Sequence, residues 1–337
     1  MEEGMKEIRI GKNQCGQRLD KFLQKYLTEA PKSFLYKMLR KKNIKRNGRR
    51  AEGSEILCEG DVLTLFLSDE TLEKFSGGRG EKDAARFQGE GKALVFRRES
   101  PPLDILYENE HIALINKPAG MLSQKAAAGD VSLVEYFLEY TGGGEMGFRP
   151  GICNRLDRNT SGIVIGGKTL CGLQCMSELL RERKIEKYYL AIVHGVMEQK
   201  GIRQAWLKKD KKTNQVEILG EDTPGASYIK TGYEPLVSDG INTLVRIRLY
   251  TGKTHQIRSH LASLGHPILG DRKYGEGMSG SQIKRQLLHA YELKFPVMKG
   301  EFPDLSEKVF RAELPEDFYK ESSVKQLINK ARKDEIL

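Results

Sequence analysis

Apolar residues recur at helical spacing in two short segments near the N-terminus, which predicts a pair of short helices. Asp20 is a residue type favoured at helix N-caps, and it is expected to begin the first helix. Beyond the second helix, Ile44 opens a short strand, Asn47-Gly48 is a strong tight-turn signal, and residues 61–67 are typical of a strand. The apolar positions of the two helices are Phe22, Leu23, Leu27, Phe34, Leu35, Met38 and Leu39.

From residue 102 onward, short apolar runs alternate with turn signals. Two helices are predicted here, at residues 132–140 and 169–183. Because hairpins outnumber strand–helix–strand crossovers, we expect an α+β fold, with a mixed, mostly antiparallel sheet, flanking helices and a central cleft. The predicted strands are 103–107, 112–115, 163–165, 188–194, 228–236, 244–249 and 287–295.

The stretch between these two regions is rich in glycine and charge and shows no clean periodicity, which is typical of a linker. The length of 337 residues also suggests two domains. We therefore expect a small α/β domain at residues 12–70, a linker at 71–101 and a larger domain at 102–325.

The formal net charge of +10 is concentrated near the N-terminus, where residues 31–51 contain no acidic residue. A solvated helix face would normally mix both signs of charge. Unrelieved positive charge across a helix, a turn and a strand instead indicates a surface that binds phosphates. The residues predicted to contact nucleic acid are Lys37, Arg40, Lys41, Lys42, Lys45, Arg46, Arg49 and Arg50.

Several classes of protein are disfavoured by the sequence. No apolar run approaches the roughly 18 residues that a membrane span requires, and the charged N-terminus lacks the apolar core of a signal peptide. Five cysteines scattered along the chain do not form the pattern of a disulfide framework. We expect a monomeric, cytoplasmic protein without a membrane partner.

The N-terminal region carries a resemblance to a known module. RLDKFLQKYL, then SFLYKMLRKKNIKRNGRR, then Gly60-Asp61 before a closing strand, resembles the S-four-type RNA-binding domain, which is named for a small-subunit ribosomal protein. The match covers about fifty residues. It implies that structured RNA is the partner.

Residues 154–162 bring polar and charged side chains of both signs together directly before an apolar strand. An ordinary surface loop would give the same pattern. Arg155 and Arg158 flank Asp157, and nearby cations favour the charged form of a carboxylate, so we expect Asp157 to be ionised near neutrality. An ionised carboxylate suits a nucleophile or a general base, and fits poorly with a general acid.

This segment resembles the catalytic signature of the large pseudouridine synthase family that modifies ribosomal RNA and tRNA. The usual form of that signature is His-Arg-Leu-Asp, two variable positions, then Thr-Ser-Gly, so Asn154 departs from it at the first position. Residues 187–195 resemble the family's Lys-x-Tyr-x-Ala strand, and residues 251–261 resemble its third signature. The similarity spans roughly residues 102–315.

The resemblance implies isomerisation of uridine to pseudouridine, in which the base leaves the ribose, turns and rejoins it through carbon 5. It assigns Asp157 as the catalytic carboxylate, Tyr189 as the active-site aromatic and Arg258 as the ion-pair partner of Asp157. Sequence leaves open whether Asp157 attacks the sugar, attacks the base or removes a ribose proton. The residues expected to contact the substrate in this domain are Arg155, Thr160, His255 and Ile257.

Other functions are less compatible with the motifs. The spacings among His255, His260 and His266 do not place two imidazoles on adjacent turns of one helix face, so we expect no metal site. The glycine-rich pieces lack nucleotide-binding spacings, and we expect no cofactor. The serious alternative is a catalytically silent RNA-binding ribosome-assembly factor. For an enzyme, ribosomal RNA of the large subunit is favoured over tRNA.

Overall fold

The computed structural model describes residues 4–76, 102–127, 129–143, 148–210, 215–221, 223–275, 283–298, 300 and 302–336. Most of the predicted linker, residues 77–101, lies outside the described residues. Among the described residues, no helix combines the length and the apolar character that crossing a bilayer requires.

The N-terminal region folds around a four-stranded antiparallel sheet of order β1-β4-β2-β3. One apolar core joins this sheet to the first two helices and includes Phe22, Leu39 and Leu65. The sheet begins before residue 12, and the last helix continues past residue 70. The elements are β1 (Met5–Arg9), α1 (Leu19–Tyr26), α2 (Lys32–Arg40), β2 (Ile44–Arg46), β3 (Arg49–Arg50), β4 (Val62–Phe66) and α3 (Asp69–Phe75).

The predicted tight turn of this region is present in the structure, whereas the first helix begins differently from the prediction. Asn47 and Gly48 both have positive φ and connect β2 to β3, which confirms the predicted tight turn. The N-cap predicted at Asp20 is wrong, because α1 begins one residue earlier and its cap position is Arg18. The Asp20 carboxylate instead accepts hydrogen bonds from Arg18 and from the Tyr36 hydroxyl of α2. It therefore ties the two helices together.

The larger region is built on an eleven-stranded sheet whose main path runs β11-β10-β12-β13-β9-β14-β8-β6-β5. Its strand pairs are antiparallel except for β14 with β8, so the expected α+β class with a mostly antiparallel mixed sheet is confirmed. The strands are β5 (Ile105–Glu108), β6 (Ile112–Lys117), β7 (Gly151–Ile152), β8 (Ser161–Gly167), β9 (Glu186–His194), β10 (Gly201–Lys209), β11 (Val216–Leu219), β12 (Ser227–Ser238), β13 (Asn242–Leu249), β14 (Leu288–Lys294) and β15 (Val309–Arg311).

Helices cover this sheet on both faces. They are α4 (Leu133–Tyr140), α5 (Leu170–Arg181), α6 (Gln256–Ser263) and α7 (Ser322–Lys333). Because neighbouring strand residues point to opposite faces, Tyr189 packs in one apolar core with α4 and α6, while Leu190 packs in another with α7. The face that carries Tyr189 also holds the candidate site.

The parallel contact between β8 and β14 brings two backbones unusually close at Gly162. This residue has a φ of +110°, and a Cβ at its position would collide with the carbonyl group of Ala290. Only glycine satisfies both conditions. Gly162 therefore fixes the start of β8, directly after the loop that carries Asp157.

Candidate active site

Asp157 lies in the loop that joins β7 to β8, and the loop is pinned by backbone hydrogen bonds. Thr160 N–H donates to the Asp157 carbonyl at 3.0 Å. The Ser123 hydroxyl donates to the carbonyl of the neighbouring Leu156 and accepts from the Leu156 N–H. Because these hydrogen bonds fix the backbone on both sides of Asp157, the loop is rigid and defines the position of the Asp157 carboxylate.

Arg258, on the first turns of α6, connects this loop to a second carboxylate. Its Nη1 donates to Asp157 Oδ2 at 3.0 Å, while Nε and Nη2 form a bidentate pair with Asp271 at 2.7 and 2.8 Å. The Asp271 side chain is fully buried, whereas 27% of the Asp157 side chain is exposed. Asp271 thus orients the guanidinium, and the guanidinium orients Asp157.

The two oxygens of Asp157 have different surroundings. Oδ2 accepts the bond from Arg258 and lies 3.8 Å from His255 Nε2. Oδ1 accepts no hydrogen bond from any residue that the structure describes. The carboxylate therefore offers one held oxygen and one that can meet a substrate.

Apolar side chains form the floor beside this carboxylate. Leu156, Tyr189 and Ile257 belong to one buried cluster, and 7% of Tyr189 is exposed. Burial, with a contribution from the charge of Asp157, raises the pKa of Tyr189 above its usual value. Its hydroxyl therefore stays protonated at neutral pH.

Lys117 is a buried group near the site that the sequence did not single out. Its ammonium donates to the carbonyls of Pro118, Met121 and Arg158, so it ties the end of β6 to the Asp157 loop. Burial lowers the pKa of Lys117 to about 7. Nothing distinguishes this lysine in the sequence, because its acceptors are backbone carbonyls.

The arginines that flank Asp157 in sequence do not supply its ion pair. Arg155 Nη1 donates to Gln124 Oε1 at 3.4 Å, and Arg158 Nε donates to the Gly120 carbonyl at 3.1 Å. Neighbouring residues in a loop project in different directions, so the two flanking arginines are not paired with Asp157. The ion pair is the one that the family resemblance assigned. Arg258, distant in sequence, provides it.

Two residues expected to bind substrate also have contacts within the protein. Thr160 is buried, and its hydroxyl accepts from Gln286 Nε2 at 3.4 Å, which assigns it to holding the loop. Arg46 pairs with the buried carboxylate of Asp61 at 2.7 Å and is therefore committed to the N-terminal core.

The rest of the predicted basic surface is available to a partner. Lys45 is half-buried with its ammonium over the Phe66 ring at 4.9 Å. The exposed members are Lys37, Arg40, Lys41, Lys42, Arg49 and Arg50. They extend from α2 through the turn that follows it to β3.

The histidines considered for a metal site have separate environments. His260 Nδ1 bonds Thr231 Oγ1, and His266 Nδ1 bonds the His194 carbonyl. In the described ranges, no cluster of three His, Cys, Asp or Glu residues is arranged to hold a metal ion.

Comparisons with known proteins identify the family. A family model described as RNA pseudouridylate synthase matches residues 111–263. "Ribosomal large subunit pseudouridine synthase C" of Buchnera aphidicola subsp. Schizaphis graminum is 31% identical, covering 86% of this chain and 88% of that protein. The protein of the same name from Escherichia coli is 30% identical over the same shares.

A solved structure agrees at the level of the fold. "Human RNA Pseudouridylate Synthase Domain Containing 4" superposes with a TM-score of 0.54 at 24% identity, covering 66% of this chain and 92% of that one. The relatives match most of both chains, and the signatures lie in the matched region. The chain therefore belongs to the family of RNA pseudouridine synthases, which are isomerases that act on uridine in RNA.

Proposed function

We propose that the protein converts specific uridines of large-subunit ribosomal RNA to pseudouridine, with Asp157 as its catalytic carboxylate. The choice of RNA is supported by the relatives, whose names specify the ribosomal large subunit. The observation that carries the role of Asp157 is its ion pair with Arg258 at 3.0 Å, beside the apolar floor of Leu156, Tyr189 and Ile257.

The reaction needs little beyond a positioned carboxylate and an apolar pocket. A uridine in folded RNA must first leave its stack, at a cost of a few kcal/mol. The bond from C1′ to N1 then breaks, the base turns, and a bond from C1′ to C5 replaces it. The hydrogen released from C5 is balanced by a proton gained at N1, so the sum is an isomerisation.

The arrangement around Asp157 suits this sequence of steps. Oδ2 is held by Arg258, and Oδ1 faces the substrate as nucleophile or base. The apolar floor receives the extruded pyrimidine and limits the access of water to the cleaved bond. His255 lines the same site, and Arg155 lies at the exposed end of the loop, where it can meet a phosphate.

The N-terminal region supplies RNA affinity. We assign residues 12–70 to an S-four-like RNA-binding domain, 71–101 to a linker and 102–325 to the catalytic domain. The exposed cations of α2 and β3 support the first assignment, because unpaired Lys and Arg on one surface suit a phosphate backbone. A monomer acting in the cytoplasm fits this function.

The decisive test is to map pseudouridines across total RNA from cells with and without the protein. We expect a pseudouridine in large-subunit ribosomal RNA to disappear and to return with the wild-type protein. Asp157→Asn should fail to restore it while binding the RNA with nearly unchanged affinity. Loss of a tRNA site alone would identify tRNA as the substrate. An unchanged map would leave the non-catalytic assembly factor.

A further inference from the structure

His255 occupies a backbone conformation that directs its ring toward the active site. It precedes α6 with a φ of 52° and a ψ of 15°, in the left-handed region that non-glycine residues rarely adopt. The next residue, Gln256, anchors the start of the helix by donating to the Lys230 carbonyl and accepting from Thr251 Oγ1. The unusual conformation of His255 is therefore imposed by well-anchored neighbours.

A hydrogen-bond chain reaches the other side of the same ring. The Val216 N–H donates to the Tyr274 hydroxyl oxygen at 3.0 Å, and that hydroxyl lies 2.9 Å from His255 Nδ1. Within the described part of the chain, His255 Nδ1 is the only acceptor near the Tyr274 O–H. The hydroxyl accepts from the Val216 N–H, and its own O–H can donate to His255 Nδ1 when that nitrogen carries no hydrogen.

The Asp157 carboxylate near Nε2 favours the tautomer that carries its hydrogen on Nε2, because a lone pair on that nitrogen would face a negative charge. A neutral ring that accepts at Nδ1 carries its hydrogen on Nε2. Burial lowers the pKa of His255 to about 4, so the ring is neutral at physiological pH. Nε2 lies 3.8 Å from Asp157 Oδ2. This gap exceeds a hydrogen bond, but catalytic hydrogen bonds commonly shorten when substrate binds.

We propose that His255 is a positioning residue that donates its Nε2–H to Asp157 Oδ2 when RNA binds. Arg258 and His255 then hold one oxygen between them, and Oδ1 is left as the reacting atom. Tyr274 acts one step further away by donating to His255 Nδ1, which stabilises the tautomer with its hydrogen on Nε2. The inference rests on the proposed catalytic role of Asp157 and extends it to two residues that do not touch the base.

Two substitutions at position 255 separate this role from a structural one. In His255→Gln, the side-chain amide can place an N–H near the former Nε2 position. In His255→Asn, the shorter amide stays near Tyr274 and does not reach Asp157. Asparagine is the better of the two in a left-handed conformation, so a structural role predicts that His255→Asn is the more stable and the more active variant.

The proposal predicts the opposite order of activity. We expect His255→Asn to lower kcat by about 10- to 100-fold, the loss typical of a hydrogen bond to a charged group, with KM nearly unchanged. His255→Gln should keep more of the wild-type kcat although it is the less stable protein. Tyr274→Phe, which retains the ring 5.2 Å from the Arg258 guanidinium, should lower kcat without changing KM.

The measurement is the release of tritium from RNA labelled at C5 of uridine, together with melting temperatures for each full-length variant. An activity order that follows stability, with asparagine above glutamine, overturns the positioning role. So does full activity of both Tyr274→Phe and His255→Asn. Asp157→Asn is measured in parallel, because activity in that variant would overturn the proposed function itself. An inactive Asp157→Asn beside a fully active His255→Asn would remove the positioning role alone.

Discussion

Arg258 bonds two carboxylates that differ in burial. Because of this difference, we expect one carboxylate to contribute mainly to folding and the other mainly to catalysis. Asp271 is fully buried and bidentate, whereas Asp157 is partly exposed and makes a single bond. We compare Asp271→Ala with Asp157→Ala, two substitutions of the same residue type around one guanidinium. The first should act on stability and the second on chemistry.

The expected magnitudes follow from the surroundings. Removing Asp271 leaves a buried guanidinium without its main partner and also removes the acceptor for the Lys273 N–H. The free energy of unfolding should therefore fall by about 3–5 kcal/mol. For a domain of this size, that loss lowers the melting temperature by roughly 6–20 °C. Removing Asp157 breaks one partly solvated pair and should cost about 1 kcal/mol or less.

The assays are thermal denaturation followed by circular dichroism, and tritium release from labelled RNA at a temperature where both variants remain folded. Asp157→Ala should be nearly as stable as the wild type and inactive. Asp271→Ala should be strongly destabilised and retain measurable activity when folded, because its effect on chemistry is indirect. If Asp157→Ala were as destabilised as Asp271→Ala, Asp157 would be a structural ion-pair partner, and its assignment as the reactive group would fail.

Three further predictions test the RNA surface, the strand contact and a buried histidine. Replacing four exposed cations by alanine should weaken RNA binding and reduce the slope of log affinity against log salt concentration by about 0.7 to 0.9 per lost phosphate contact. Filter binding at several salt concentrations measures this slope, and an unchanged slope would contradict the assignment. Gly162→Ala should lower the free energy of unfolding by roughly 2–5 kcal/mol, because the new Cβ strains the backbone and collides with the Ala290 carbonyl. Gly220 has open space where a Cβ would be added, so Gly220→Ala should leave the melting temperature unchanged in the same experiment. Burial lowers the pKa of His289 to about 4, so folding favours the neutral imidazole, and stability should fall as the pH drops from about 6.5 to about 4. His289→Gln should reduce this loss of stability, measured by thermal denaturation across that pH range. If the variant and the wild type had identical pH profiles, His289 would be excluded as the source of the loss. The cations replaced together are Lys41, Lys42, Arg49 and Arg50.

The fold was largely predictable because its strands carry strong local signals. The Asn47-Gly48 turn, the helix that follows Ser132 and the apolar run of the strand Glu186–His194 each depend on residues close in sequence. Weaker elements escaped prediction. In the hairpin of β10 and β11, charged and polar residues interrupt the apolar residues of β10, and β11 is only 4 residues long. The α6 helix begins at a left-handed histidine rather than at a recognisable cap.

The candidate site was predictable in its residues and less so in its contacts. Sequence brought Asp157, Tyr189 and Arg258 forward only through resemblance, since a charged loop residue or a strand tyrosine is common in any fold. The local sequence indicated the two flanking arginines as the cations near Asp157, whereas the resemblance assigned Arg258, and the guanidinium that bonds Asp157 does come from α6. Lys117 could not be recognised, because a lysine that donates to three carbonyls leaves no pattern of paired charges.

The departure at Asn154 bears on the choice between an enzyme and a silent RNA-binding factor. Asn154 accepts from Ile165 N–H at 2.8 Å and donates to the Ile163 carbonyl at 3.4 Å, so it holds the loop that carries Asp157 to β8. A neutral histidine has one donor and one acceptor nitrogen, which are the two functions that asparagine performs here. The substitution therefore preserves the means of anchoring the loop and leaves the ion pair of Asp157 with Arg258 in place. Because the one altered motif position holds backbone and touches neither carboxylate oxygen, it gives little support to a loss of catalysis.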